Sequence, residues 1–355
     1  MLPVKKLNKG DKVAIVSLSS GVLGEDFVKH EYYIGIKNMR EAGLDVVFMP
    51  NSLKGMDFIK NNPQARYEDL KQAFLDKDVK AILCAIGGFD GFLLSQYVHA
   101  DSEFAQIVKD NPKIFCGFSD STTHHMLLNA LGLQTFYGMS FLTDFCELYQ
   151  GMLPYSQKSF EMLFDGKAGR KIAPSDVWYY ERTDYSESQL GVPRKQEQNQ
   201  GYMLLCGSGK VQGKLYGGCI EIFEREIEFK HNRAWNDCKA ETALLDMSYW
   251  KDCILLLEVS EEKPTPEKFK QVITAIENEG IFELCAGVLF GKPQDEKYMQ
   301  EYQNILKQVA LKYNKPVLAN INVGHAQPHT LLPLGVQVQL DADNKQITIM
   351  EDYLF

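Results

Sequence analysis

From the amino terminus, short apolar runs closed by glycine or polar turns alternate with segments whose apolar residues recur at helical spacing. The runs at 13–17, 46–49, 80–85, 114–117 and 134–137 are too short for buried helices and predict strands. Between them, residues 26–42 carry Phe27, Tyr32, Ile34, Ile36 and Met39 up to a stop at Gly43, and residues 66–76 carry Tyr67, Leu70, Ala73 and Phe74. Both patterns predict amphipathic helices with one buried face. Such alternation predicts an α/β fold whose N-terminal part is an open parallel sheet with helices on both faces; ligands gather at the carboxyl ends of its strands.

The texture changes at 167–200, a polar stretch with little periodicity that predicts a linker and a long loop. It divides the chain into an N-terminal α/β domain (1–166) and a smaller, β-rich α/β domain (201–355). In the second part the pattern predicts strands at 210–215, 241–245, 253–258, 287–291 and 317–320 and helices at 219–227, 266–279 and 295–311. A hairpin with a polar turn is predicted over 335–350.

The chain of 355 residues is 45% hydrophobic and 24% charged, which excludes a disordered or low-complexity protein. With 38 Lys and Arg against 47 Asp and Glu, the net charge of −9 offers no basic field for nucleic acid or an anionic membrane. No run approaches the roughly 20 apolar residues of a membrane span, and the start lacks a signal-peptide core, so the expected location is the cytoplasm. The eight cysteines form no CxxC pair and read as reduced core residues. No metal site and no cofactor motif are expected: HExxH is missing, and neither Ile86-Gly-Gly88 nor Gly207-Ser-Gly-Lys210 fits a dinucleotide or P-loop spacing.

Candidate chemistry concentrates in three places. Gly117-Phe-Ser-Asp120 lies between a short strand and a helix, where a serine hydroxyl stands above the sheet and the following N–H groups can hold an oxyanion. Ser119 is therefore a candidate nucleophile; Ser119, Asp120 and Ser121 are equally good helix N-caps. A serine needs a base, and His325, beside Gly324 at a strand's carboxyl end, suits that role or that of a loop histidine bonded to backbone. Pro328 removes His325 and His329 from a helical metal pair. Glu258 ends the apolar run 253–258, where an unpaired charge is costly unless the strand simply emerges into solvent with Glu261 and Glu262. The pairs Gly87-Gly88 and Gly217-Gly218 read as tight turns before helices, allowing close backbone approach to a substrate or simply close packing.

Taken together these motifs resemble the serine LD-carboxypeptidase family, and within it the branch of the microcin C immunity proteins. The likeness spans almost the whole chain, through Gly117-Phe-Ser-Asp120, Gly217-Gly-Cys-Ile-Glu221, Leu257-Glu-Val-Ser260, Gly291-Lys-Pro293 and Gly324-His-Ala-Gln-Pro328. It implies a flavodoxin-like N-terminal domain, a homodimer, and an active site between the domains. It also implies a Ser119, His325, Glu258 triad, with oxyanion donors at the N–H groups of Asp120 and Gly88, or Gly87 in place of the latter. Implied substrates are small: a peptidyl-nucleotide cleaved at an aspartyl amide, or a murein tetrapeptide losing its terminal D-Ala.

Substrate-binding candidates are Gly87, Gly217, Gly218, Glu221 and Trp178; an indole in the long loop could stack on a nucleobase or cover a domain edge. Two departures bear on specificity: Cys219 stands where the murein enzymes have asparagine, and Tyr137-Gly-Met-Ser140 replaces their usual Gly-Pro ending. Two competing readings are a two-domain small-molecule binding protein and an ordinary α/β-hydrolase esterase. The latter calls for Gly-x-Ser-x-Gly, and residue 121 is serine.

Overall fold

A computed structural model describes residues 1–231 and 242–355. In chain order its strands are β1 (Lys12–Val16), β2 (Asp45–Phe48), β3 (Val79–Cys84), β4 (Ile114–Gly117), β5 (Thr135–Tyr137), β6 (Lys171–Ile172), β7 (Val177–Tyr179) and β8 (Gln196–Gln198). They continue with β9 (Met203–Cys206), β10 (Lys210–Cys219), β11 (Ile254–Glu258), β12 (Gly287–Gly291), β13 (Val317–Ile321), β14 (Leu332–Leu334), β15 (Gln337–Asp341) and β16 (Gln346–Ile349).

The first sheet runs β14-β5-β4-β3-β1-β2. Strands β1 to β5 are mutually parallel, as their helix-bearing crossovers require. Burial on both faces explains their uniform apolarity: Ala14, Ile15, Ile82, Ile114 and Phe115 have no exposed surface. The second sheet runs β6-β16-β15-β10-β11-β12-β13-β9, with β10 to β13 parallel and antiparallel strands at both flanks. The α/β class therefore holds, with a β-rich second part.

Two strands cross between the sheets. β6, from the stretch that reads as a linker, pairs with β16, and β14 returns to pair antiparallel with β5. The polar stretch also forms the β7/β8 hairpin, which its lack of apolar periodicity conceals.

Other expectations need correction. β10 runs on to Cys219, so Gly217 and Gly218 lie inside a strand rather than in a turn. A Cβ on Gly217 would overlap the Leu256 carbonyl, and one on Gly218 would lie 2.6 Å from Thr122 Oγ1. Their glycines answer to close packing. Of the strand predicted at 241–245, Glu241 lies outside the described residues and 242–245 form no strand; Ala243 N–H instead bonds the Glu226 carboxylate at 2.7 Å. The helix predicted from 295 begins at Met299, because Asp295 takes a φ of +54°.

Phe115 sits in β4 directly beneath the Gly-Phe-Ser-Asp turn, with its ring against that of His125. Phe115→Ala is expected to lower unfolding free energy by about 3–5 kcal/mol, read from the midpoint of a urea transition with unchanged slope.

Candidate active site

Ser119 opens the turn between β4 and the helix Thr122–Ala130 with a φ of +62°. A serine held there is strained, and the strain presents its hydroxyl above the sheet, as in a nucleophile elbow. Three contacts hold the turn. The Ser119 N–H donates to the Tyr137 hydroxyl at 3.0 Å, Thr122 Oγ1 donates to the Ser119 carbonyl at 2.7 Å, and the Ser121 N–H closes on Phe118. The helix-cap alternative finds no support, since none of the three residues bonds as a side-chain cap there.

Gly87 follows β3 and abuts the serine: a Cβ on it would lie 3.0 Å from Ser119 Oγ and 3.5 Å from the Asp120 N–H nitrogen. Gly88 faces Ser19 and Ser20 instead. Asp120 points away from the hydroxyl, accepting from Ser19 and from the Gly91 N–H at 2.6 Å and pairing with Arg225 Nη1 at 2.9 Å. Burial pulls its carboxyl upward, but Arg225 and these donors hold it below its ordinary range. On the same helix, burial pushes His124 down to about 4 and His125 down to about 3, so both are neutral and donate from Nε2 to the Gly91 and Gly117 carbonyls.

Glu258 is fully buried at the end of β11 and His325 nearly so in the loop after β13. The structure brings these two together: His325 Nδ1 lies 2.8 Å from Glu258 Oε2. Gly324, at φ +95°, makes this approach possible, because a Cβ there would overlap the Glu258 carboxylate. Glu258 Oε1 accepts from the Tyr137 hydroxyl at 2.7 Å. Tyr137 thus joins the backbone of Ser119 to the carboxylate beside His325. The sequence shows it only as a departure from a family pattern.

The other imidazole nitrogen, Nε2, lies 2.9 Å from Glu261 Oε2, in the loop just beyond β11. Burial draws the imidazole's pKa down, yet Glu258 and then Glu261 raise it well above the ordinary value. Glu261 shows the converse: burial pulls upward, and the hydrogen bond and charge of His325 win, leaving it below the usual range. Phe118 packs between the rings of His325 and His329, and His329 pairs with buried Asp144 at 2.9 Å.

The remaining candidates divide. Glu221 accepts from the Ser260 N–H and hydroxyl and so braces the loop that carries Glu261. Trp178 needs correction as a stacking surface. It is 3% exposed, with the Lys292 ammonium 4.8 Å over its ring and Tyr180 beside it.

A cavity of about 480 Å³ instead presents Phe27 and Tyr185, which are 61% and 39% exposed. Its walls include Ile86, next to Gly87, and Gln327, two residues past His325, while Ser119 and His325 themselves do not line it. Glu31 and Arg194 also line it, and burial pushes Glu31 up to about 7 against the pull of Arg194. Among the described residues no cluster of His, Cys, Asp or Glu is arranged to hold a metal ion, and no helix is long and apolar enough to cross a membrane.

The LD-carboxypeptidase N-terminal domain profile matches residues 13–138, and the LD-carboxypeptidase C-terminal domain profile matches residues 212–340. A putative carboxypeptidase of Treponema pallidum is 29% identical over 324 residues, covering 88% of this chain and 85% of its own length. The microcin C7 self-immunity protein MccF of Escherichia coli is 24% identical over 338 residues, 92% of this chain and 90% of its own. Among solved structures, an MccF-like protein from Streptococcus pneumoniae in complex with AMP is 44% identical, with a TM-score of 0.87 over 96% of this chain and 99% of that one. With both family domains matched in order over most of its length, the chain belongs to the LD-carboxypeptidase family and is a serine carboxypeptidase hydrolase.

Proposed function

We propose that this chain hydrolyses the amide joining an aminoacyl residue to a nucleotide-like group, through an acyl-enzyme on Ser119. The observation that carries the chemistry is the Glu258 to His325 contact at 2.8 Å, which the Tyr137 hydroxyl links to the backbone of a serine at positive φ. Support for the substrate class comes from the similar pneumococcal protein that holds AMP, and from the apolar cavity with two accessible aromatic rings, one wall of which is Ile86, next to Gly87.

In this mechanism Ser119 Oγ attacks the acyl carbon and its proton passes to His325 Nε2. Glu258 fixes the imidazole and stabilises its charged form. The tetrahedral oxyanion is held by the Asp120 N–H and one from the Gly87-Gly88 turn, and its collapse expels the amine with the proton from His325. Water, deprotonated by the same imidazole, then releases the acid and restores the hydroxyl. Action in the cytoplasm and a homodimeric assembly complete the reading.

The test is incubation with aspartyl sulfamoyl adenosine and, separately, a murein tetrapeptide. The expected product is free aspartate with sulfamoyl adenosine, lost by at least about a thousandfold in Ser119→Ala. Release of D-Ala alone would turn the assignment to the murein substrate, and turnover surviving in Ser119→Ala would overturn the nucleophile.

Gly324→Ala is expected to lower kcat by about a hundredfold or more, because displacing an aligned catalytic group by about 1 Å already costs that much. A circular-dichroism melt retaining a cooperative transition separates this from unfolding. As a base, His325 must be neutral, and its pKa is raised in the free protein, so activity falls as pH drops through that raised value. The acid limb of kcat/KM is expected above about 6.5, the ordinary imidazole value. A limb at or below it contradicts the assignment.

A further inference from the structure

The atom that receives the serine proton in the proposed mechanism is occupied: His325 Nε2 is paired with Glu261 Oε2 at 2.9 Å. Glu261 reaches in from a braced position. It lies three residues after Glu258 on a loop pinned by Ser260, whose N–H and hydroxyl bond Glu221 Oε1, while the Glu261 side chain stays half exposed. Catalysis requires Glu261 to leave Nε2, and it then loses its cationic partner. Lys263, two residues further along the chain, is engaged with Asp295 at 2.6 Å. A carboxylate beside a reacting centre, stripped of its partner in a partly desolvated cleft, repels anions and favours a substrate that brings its own positive charge.

We propose that Glu261 is a specificity-determining residue that exchanges His325 for the free α-ammonium group of the residue supplying the scissile carbonyl. This rests on the reading of the chain as an aminoacyl-nucleotide amidohydrolase. The side of the bond follows from charge. The leaving group in that reading carries an anionic phosphate or an acidic sulfamate, which Glu261 disfavours, so the cation belongs to the acyl side. Arrival of the ammonium serves two ends, neutralising Glu261 and clearing Nε2 to face Ser119 Oγ. A substrate with its amine acylated offers no such exchange and meets a base still held by Glu261.

Aspartyl sulfamoyl adenosine and its N-acetyl derivative, assayed for nucleoside release with wild type, Glu261→Gln and Glu261→Asp, test the proposal. Wild type is expected to prefer the free amine by roughly 10- to 100-fold in kcat/KM, the range of a charged hydrogen bond. The preference should collapse towards unity in Glu261→Gln and return in part in Glu261→Asp. Labelling of Ser119 by a fluorophosphonate confirms that each variant keeps a folded site. A wild-type enzyme indifferent to acetylation, or a Glu261→Gln variant that keeps the wild-type ratio while both rates rise or fall together, would overturn the role of Glu261 and leave the amidohydrolase standing. Release of nucleoside from neither substrate by wild type removes the functional reading itself, and this assignment with it.

Discussion

Glu258 carries a carboxylate with no exposed surface, and such a group is tolerated inside a protein when its oxygens are bonded and its charge is compensated. Both conditions are met from different parts of the chain: Tyr137 on β5 donates to one oxygen, and His325 beyond β13 lies against the other. The demand of one buried acid therefore sets the spacing between the two sheets at this point. It also explains Gly324, where any side chain would occupy the volume of the carboxylate. Removal of His325 would leave an uncompensated buried charge, and removal of Tyr137 a carboxylate oxygen without its donor.

Around this centre a second set of contacts carries the same logic to the helix behind Ser119. Thr122 receives the Cys219 N–H, Thr123 donates to buried Glu226, and Arg225 spans from the second sheet's helix to Asp120 and the Phe89 carbonyl. Asp120, adjacent to Ser119, is thereby committed to cohesion between the two halves. The neutral histidines His124 and His125 are likewise committed to backbone carbonyls.

Much of the first sheet was legible because buried parallel strands announce themselves as unbroken apolar runs and their helices as one-sided periodicity. Ser119, Glu258 and His325 stood out because each lies at the carboxyl end of such a run. Less visible were features that depend on partners distant in sequence. Gly217 and Gly218 suggested a turn, since the close approach of Leu256 and Thr122 that calls for glycine is absent from local pattern. β6 lies in polar sequence and takes its ladder from distant β16, while β7 and β8 pair with each other within the polar stretch without an apolar run to mark them. Trp178 reads as a loop aromatic until the Lys292 ammonium is seen above its ring. Glu261 reads as one of a run of solvated acids, and only the folded loop reveals that it meets His325.

The pairing of β14 with β5 gives the fold a temporal property. Vectorial synthesis delivers Ser119 and its strained turn early, while the imidazole and the strand that completes the first sheet emerge more than two hundred residues later. On the proposed mechanism, a growing polypeptide on the ribosome therefore holds a hydroxyl without its base until the returning segment docks. On the same mechanism, truncated translation products that stop short of that segment are inert.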